Sequence, residues 1–406
     1  MNIVFLLGSA DISGGTYVIF EHAIRMMNNG VKVTIVTEEE VNKERLQWHP
    51  ESKALNWETY SSISDIRFDI CIATWWRTVF ELHRIKASKY VYFIQSIESR
   101  FYNDSEKPLR QLVDSTYTLP LYMITEANWI KEYLYEHFNQ QAYLVPNGIR
   151  KDIYKVTGKM HAERKENKLR ILVEGPVDVG FKNVPKTIEL CKQSDADEIW
   201  LLTSSDINFY PGVDKIFSRV PIFETPEIYR SCDVVVKLSY VEGMFGPPLE
   251  MFHCGGTSIT YDVTGHDEYI VNNENGVVVP KDKDDQVIRA INMFKDTEKL
   301  NAFKQQALST AEKWPSWEQA SQMFEKTLQQ INSRQDSLSS QELKLKSEFL
   351  FNWYIIAENY KNMFLSKRDN RKIMILKDKL KTNYPKLFKF SKKMYYHYRI
   401  IKNNRK

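Results

Sequence analysis

Twice along this 406-residue chain, strand-length apolar runs alternate with stretches of helical spacing, and that alternation limits the fold more than any other feature. The first series has apolar runs at residues 3–7, 31–36, 69–74, 90–94, 121–124 and 142–145, with helical patterns at 17–29 and 127–138. Short continuous apolar runs suit strands buried on both faces, and strands that alternate with helices build a mostly parallel, doubly covered sheet. The second series has runs at 169–173, 198–203, 233–238 and 258–261, with helical patterns at 184–193, 226–232 and 247–254. Further helical patterns lie at 285–294, 298–313 and 317–331. Pro146, Asn147 and Gly148 close the first series, and the polar, basic stretch 155–168 reads as a linker. The expected fold class is α/β: two Rossmann-like, doubly wound domains facing a cleft. They are placed at 1–160 and 161–315, with a helix at 316–334 packing back on the body and a basic helical tail at 335–406.

Charge separates the tail from the body. Between Lys367 and Lys406 there are 15 basic and 2 acidic residues, a net of +13; the preceding 366 residues hold 41 basic and 50 acidic, a net of −9. Leu345, Phe349, Trp353, Ile356, Tyr360 and Met363 recur at helical spacing, and Ile373, Leu376, Leu380, Leu387, Phe390 and Met394 continue the pattern past Pro385. Two compatible readings follow: a helical appendage docked on the body, and a surface helix pair held on an anionic membrane through Lys367–Lys406. Tyr395, Tyr396 and Tyr398 interleave with lysines as stacking residues do, but an acidic body repels a long polyanion, so no nucleic acid is expected. No run approaches the roughly 18–20 apolar residues of a membrane span, and the first residues lack a secretory pattern. Cys71, Cys191, Cys232 and Cys254 show no metal or disulfide spacing, and a cytoplasmic location is the default.

The segment richest in chemistry is Glu242-Gly243-Met244-Phe245-Gly246-Pro247-Pro248-Leu249-Glu250, which follows the run 233–238. Gly246 suits a helix cap, and prolines suit a first turn, where the N–H has no partner inside the helix. The free N–H groups of such a turn attract phosphate. Glu242 before the helix and Glu250 on its first turns can face one cleft and accept hydrogen bonds from sugar and ribose hydroxyls. The place is beyond the carboxyl end of a strand, where open α/β sheets bind ligands.

These nine residues carry the E-x7-E signature, and in this context the chain resembles the retaining glycosyltransferases of family 4, which have the GT-B fold. The resemblance spans about residues 1–330 and is supported by Gly14-Gly15, Val145–Gly148, Asp262–Gly265 and Asn275–Val279. It implies transfer from a nucleotide-diphosphate sugar to a glycan or lipid-linked acceptor, without metal or other cofactor, by a hexosyl or deoxyhexosyl transferase. Glu242 would hold donor-sugar hydroxyls and Glu250 the ribose, while Met244, Phe245 and Gly246 would offer backbone N–H groups. The family's Arg and Lys pair on the leaving diphosphate is half kept: Lys182 is present, but Pro176 stands where the Arg is expected. Gly14 and Gly15, read as a first βα loop, would let phosphate or sugar approach. The stretch 90–102 also resembles a subgroup with bacterial rhamnosyltransferases, which puts Gln95 and Glu98 on the acceptor side.

Other signals are weaker. Asp195-Ala196-Asp197 mimics a metal-binding DxD but reads as a solvated helix end, and the eight histidines have no zinc spacing, so no metal is expected. The competing function is a catalytically weak scaffold of the same fold in a glycan-assembly complex, motivated by Pro176 and the long tail.

Overall fold

The computed structural model describes residues 1–165, 167–336 and 338–366, and beyond them 381, 382 and 385. Apart from those three positions, the expected lipid contact through Lys367–Lys406 and the second apolar pattern from Ile373 to Met394 lie outside the described residues.

Two parallel sheets form the body. The first has the order β3-β2-β1-β4-β5-β6-β7. Its strands are β1 (Asn2–Leu6), β2 (Lys32–Thr37), β3 (Asn56–Thr59), β4 (Arg67–Ala73), β5 (Lys86–Ile94), β6 (Tyr122–Thr125) and β7 (Ala142–Leu144). The second has the order β10-β9-β8-β11-β12-β13. It comprises β8 (Arg170–Glu174), β9 (Glu198–Thr203), β10 (Lys215–Ser218), β11 (Val234–Lys237), β12 (Thr257–Tyr261) and β13 (Val277–Val279). Eleven helices are described: α1 (Gly14–Asn28), α2 (Trp76–Glu81), α3 (Lys107–Thr116), α4 (Asn128–Phe138), α5 (Val184–Lys192), α6 (Thr225–Ser231), α7 (Gly246–His253), α8 (Asp284–Met293), α9 (Thr297–Lys313), α10 (Trp317–Asn332) and α11 (Ser340–Ser366).

Strand β1 shows why continuous apolar runs were needed. Ile3 and Phe5 join the core under α1, while Val4 and Leu6 join the core on the other face of the sheet. Successive side chains point to opposite faces, so a strand covered on both sides must be apolar throughout. The three strands not among the apolar runs read from the sequence, β3, β10 and β13, all lie at sheet edges, although β13 is the short apolar stretch Val277–Val279. An edge strand has one partner and a more exposed face, so its residues can be polar, as Asn56-Trp57-Glu58-Thr59 are.

The chain crosses between the sheets twice, and the crossings touch. Ile149 N–H donates to Pro315 O at 3.1 Å and Trp317 N–H to Ile149 O at 3.2 Å. A Cβ on Gly148 would lie 2.4 Å from the Ser316 and Trp317 backbone, so only glycine lets the strands approach. Beyond the second crossing, α10 packs against α1 through Trp317, Ala320, Phe324, Leu328 and Ile331, completing the first core.

Helix α11 forms as the spacing indicates, but it docks by a different face. Leu343 and Ser347 are buried, and Leu350 and Tyr354 pack on Trp76, Leu112 and Val113. The stripe that marked the helix in the sequence, Leu345, Phe349, Trp353 and Ile356, is exposed instead. The helix carries apolar residues on two faces, and spacing alone does not say which one meets the body. Among the described residues, no helix is long and apolar enough to cross a membrane.

Candidate functional site

The neighbouring strands β8 and β11 end side by side and deliver two charged residues, Glu174 and Lys237. Lys237 is 3% exposed. Its ammonium donates to the Glu174 carboxylate and to Glu174 O at 3.3 Å. The loop after β11 then places Glu242, also buried, with Oε2 2.7 Å from Lys182 Nζ and Oε1 3.7 Å from Lys237 Nζ. Lys182 stands on a 3-10 turn (Gly180–Lys182) just before α5. Burial alone would raise the Glu242 pKa, but Lys182 and Lys237 outweigh it and hold the carboxyl below its usual value. The result is a chain of alternating charges, Lys182–Glu242–Lys237–Glu174, at the carboxyl edge of the second sheet. Lys237 was not anticipated from the sequence. Its only signal is a lysine ending the apolar run Val234-Val235-Val236, where a carboxyl-edge charge reaches a ligand site. It is a second cation beside Glu242, and its ammonium is paired with both Glu174 and Glu242.

Glu250 lies one turn into α7, half-buried, and burial raises it to about 7. Pro247 and Pro248 occupy the first turn as expected, but Phe245, not Gly246, is the cap residue. Gly14 and Gly15 are likewise the first residues of α1, capped by the Ser13 side chain on Thr16 N–H, rather than a loop. A Cβ on Gly15 would stand 3.3 Å from the Gln95 amide, so the start of α1 and the end of β5 meet at that point.

The first half of the chain grips the Glu242–Phe245 loop. Glu126, just past β6 and 5% exposed, accepts from Met244 N–H at 2.9 Å and from Asn147 Nδ2 at 2.8 Å. Trp129 Nε1 donates to Gly243 O at 3.0 Å, and Ser96 Oγ to Glu242 O at 3.4 Å. Glu268 in turn accepts from Asn128 Nδ2 at 2.9 Å and Trp129 N–H at 3.2 Å. Gly243 is required for this contact, because a Cβ there would lie 1.9 Å from Gln95 O. Burial raises Glu126 to about 7, against the hydrogen bonds from Met244 and Asn147. Glu126 went unread in the sequence, although a carboxylate directly after an apolar strand marks the same ligand edge.

Of the three amides assigned to the donor by resemblance, two have protein partners. Met244 N–H is on Glu126, and Gly246 N–H donates to Met244 O at 3.0 Å; Phe245 is buried in the second core. Buried acceptors remain open at the same place: Glu242 Oε1, Gln95 Oε1 and Ser239 Oγ have no hydrogen-bond partner among the described residues.

Gln95 and Glu98 part company. Gln95 sits at the meeting of the two halves, whereas Glu98 is buried inside the first half, where its Oε2 accepts from Trp76 N–H and Tyr92 Oη, both at 2.7 Å. Burial raises Glu98 to about 8. The residue braces the turn after β5, a role that the polar loop sequence did not separate from an acceptor contact.

Beside the charge chain opens a cleft of about 620 Å³ between the halves, lined by Arg100, Tyr102 and Arg110 on one side and Phe181, Tyr240 and Lys281 on the other. Phe101 and Phe181 stack across it at 5.0 Å. Arg110 is paired with Asp104, while Arg100 lies over the Trp129 and Tyr133 rings at 5.1 and 4.7 Å. Elsewhere, Glu21, His49 and Glu51 place potential metal-ligand atoms within 4.8 Å of one another. Arg150 lies 2.8 Å from Glu51 and 3.8 Å from Glu21, so that cluster already has its counter-charge. Asp197 of the DxD look-alike binds Lys295 and Leu169 N–H.

Residues 215–310, which contain Lys237, Glu242 and Glu250, match the family described as Glycosyl transferases group 1. No curated protein matches the chain. Similar solved structures include Anabaena Alr3699/HepE in complex with UDP-glucose, with a TM-score of 0.66 at 14% identity over 81% of this chain and 100% of that one. Sucrose-phosphate synthase from Thermosynechococcus elongatus gives 0.66 at 15% identity, over 82% and 99%. WaaG, a glycosyltransferase involved in lipopolysaccharide biosynthesis, gives 0.59 at 14%, over 82% and 100%. At such identities these likenesses establish the fold, the GT-B pairing of two Rossmann-like domains.

Proposed function

We propose that the protein is a glycosyltransferase that uses a nucleotide-diphosphate sugar, retains the anomeric configuration and needs no metal. The observation that carries this reading is the Lys182–Glu242–Lys237–Glu174 chain at the carboxyl edge of the second sheet, buried at Glu242 and Lys237, beside the cleft and next to the loop that the first half grips. Glu242 and the open acceptors around it suit sugar hydroxyls, and Glu250 suits the ribose. Lys182 and Lys237 suit a diphosphate whose negative charge grows as the glycosidic bond breaks. Catalysis is then mostly positioning and electrostatics. The acceptor hydroxyl attacks from the face that the leaving group departs, and a donor phosphate oxygen helps to take its proton. HepE was crystallised with UDP-glucose, which supports a nucleotide-sugar donor.

The acceptor, in this proposal, is a glycan or lipid-linked oligosaccharide entering by the cleft lined with Arg100 and Arg110. The enzyme works at the inner face of a cell membrane, with Lys367–Lys406 on anionic lipid, in assembly of a bacterial surface polysaccharide or glycoconjugate. Rhamnosyl transfer remains part of the proposal on the strength of the 90–102 segment. One observation favours the second reading, a weak scaffold: Glu126 occupies the Met244 amide that the donor would use.

A thermal-shift screen against nucleotide-sugars, with Glu250→Ala in parallel, separates the two. A ligand at 100 times its dissociation constant adds about 2.7 kcal/mol of stability. Stabilisation by one nucleotide family that is lost in the variant supports the enzyme. Silence from folded protein across the whole panel favours the scaffold.

A further inference from the structure

Helix α11 is apolar on two faces, and only one of them is used. At about 100° per residue, Leu343, Ser347, Leu350 and Tyr354 fall in one narrow arc that meets the body. Leu345, Phe349, Trp353 and Ile356 fall in a second arc roughly 130° away. Their exposures are 58%, 70%, 47% and 61%. Large apolar side chains do not gather on a solvated helix face without a partner, and this helix does not need them to fold, because its other face already holds it.

We propose that this second arc is a membrane seat: α11 lies on an anionic bilayer with Leu345, Phe349, Trp353 and Ile356 in the headgroup–acyl boundary. The occupant must be apolar and anionic at once. The apolar demand comes from the stripe, and the anionic demand from the 40 residues that follow the helix almost directly, with their net charge of +13. A second copy of the chain would bring two such tails together, which like-charge repulsion opposes. A Trp on the stripe suits the interface, where its ring is buried and its N–H stays wet. The seat also lies beside the cleft: Leu350 and Tyr354 of α11 and Tyr102 of the cleft wall pack on the same cluster of Trp76, Leu112 and Val113. A protein seated in this way presents the Arg100–Arg110 mouth next to the membrane surface. The inference rests on α11 and the charge distribution, not on the glycosyl-transfer reading, though it gives a lipid-linked acceptor a short route.

The test is sedimentation of the full chain with vesicles of phosphatidylcholine alone or with about a third phosphatidylglycerol. Wild type is expected to bind the anionic vesicles and release at high salt, and Phe349→Ser/Trp353→Ser to lose about tenfold or more in vesicle affinity. Because both residues are exposed, the double variant keeps the wild-type melting temperature and nucleotide response. Equal vesicle binding by the double variant overturns the proposal. A marked fall in its melting temperature overturns it too, since that shows the chain's own tail covering the stripe. So does loss of a wild-type oligomer in lipid-free ultracentrifugation, which assigns the stripe to a second copy.

Discussion

Replacing Glu126 by Gln tests the contact between the two halves of the protein. Glu126 is 5% exposed, and its carboxyl is raised from 4.5 to about 7. Between those values the folded protein holds a proton that the unfolded chain has released, so stability is complete below pH 4.5 and falls as pH rises through 7. A shift of that size is worth about 3 kcal/mol above pH 7, at roughly 1.4 kcal/mol per pKa unit. Gln keeps an acceptor for Met244 N–H. Its amide N–H can then donate to Asn147, whose Oδ1 has no partner among the described residues, after a simple amide flip. The variant therefore matches wild type near pH 4.5 and exceeds it by up to about 3 kcal/mol at pH 8. In thermal denaturation this is a gain of at least about 3 °C if the whole chain unfolds together, and more if the first half melts alone. Parallel pH profiles for the two proteins from pH 4.5 to 9 would refute the reasoning, because they would show that Glu126 is ionised and well solvated in the folded state.

Three further outcomes follow from the site. Gly243→Ala puts a Cβ where Gln95 O now lies, so the halves cannot close; turnover falls about 100-fold or more while the circular dichroism of the folded protein is kept, and normal turnover would show that closure is not needed. Lys237→Met leaves buried Glu242 and half-buried Glu174 short of a counter-charge and destabilises by about 3–5 kcal/mol, which Lys237→Met/Glu174→Gln largely restores. If Lys237 faces the diphosphate, the restored double variant still loses about 100-fold in kcat, and wild-type kcat would remove it from the site. Glu98→Gln, judged by the same sign as Glu126, adds stability above pH 8 and leaves turnover within about twofold; a large loss of turnover at unchanged melting temperature would return Glu98 to the acceptor side.

Much of the architecture was written in the order of residue types. Central strands such as β1 and β11 are apolar throughout because both faces are covered, and this made the two parallel sheets legible without any contact information. Glu242, Lys182 and Glu250 were legible for a related reason: the spacing of carboxylates, glycine and prolines around a strand-to-helix loop records local geometry. Three of the four edge strands were not read: β3 and β10 are short and partly polar, and β13 is only three residues long, while the edge strand β7 was legible.

What the tertiary structure decided is everything that depends on a partner distant in sequence. Glu126 meets Met244 118 residues away, and Glu242 meets Lys182 60 residues away. Glu98 looks as polar as Gln95, yet one is sealed behind Tyr92 and Trp76 while the other stands at the junction of the halves. On α11, two apolar arcs have equal periodicity, and only the shape of the cluster around Trp76 chose which would be buried. Periodicity reports which residues share a face, because it follows from the backbone alone. The environment of that face is set by chain folding, and with it the charge state, burial and chemistry of each side chain.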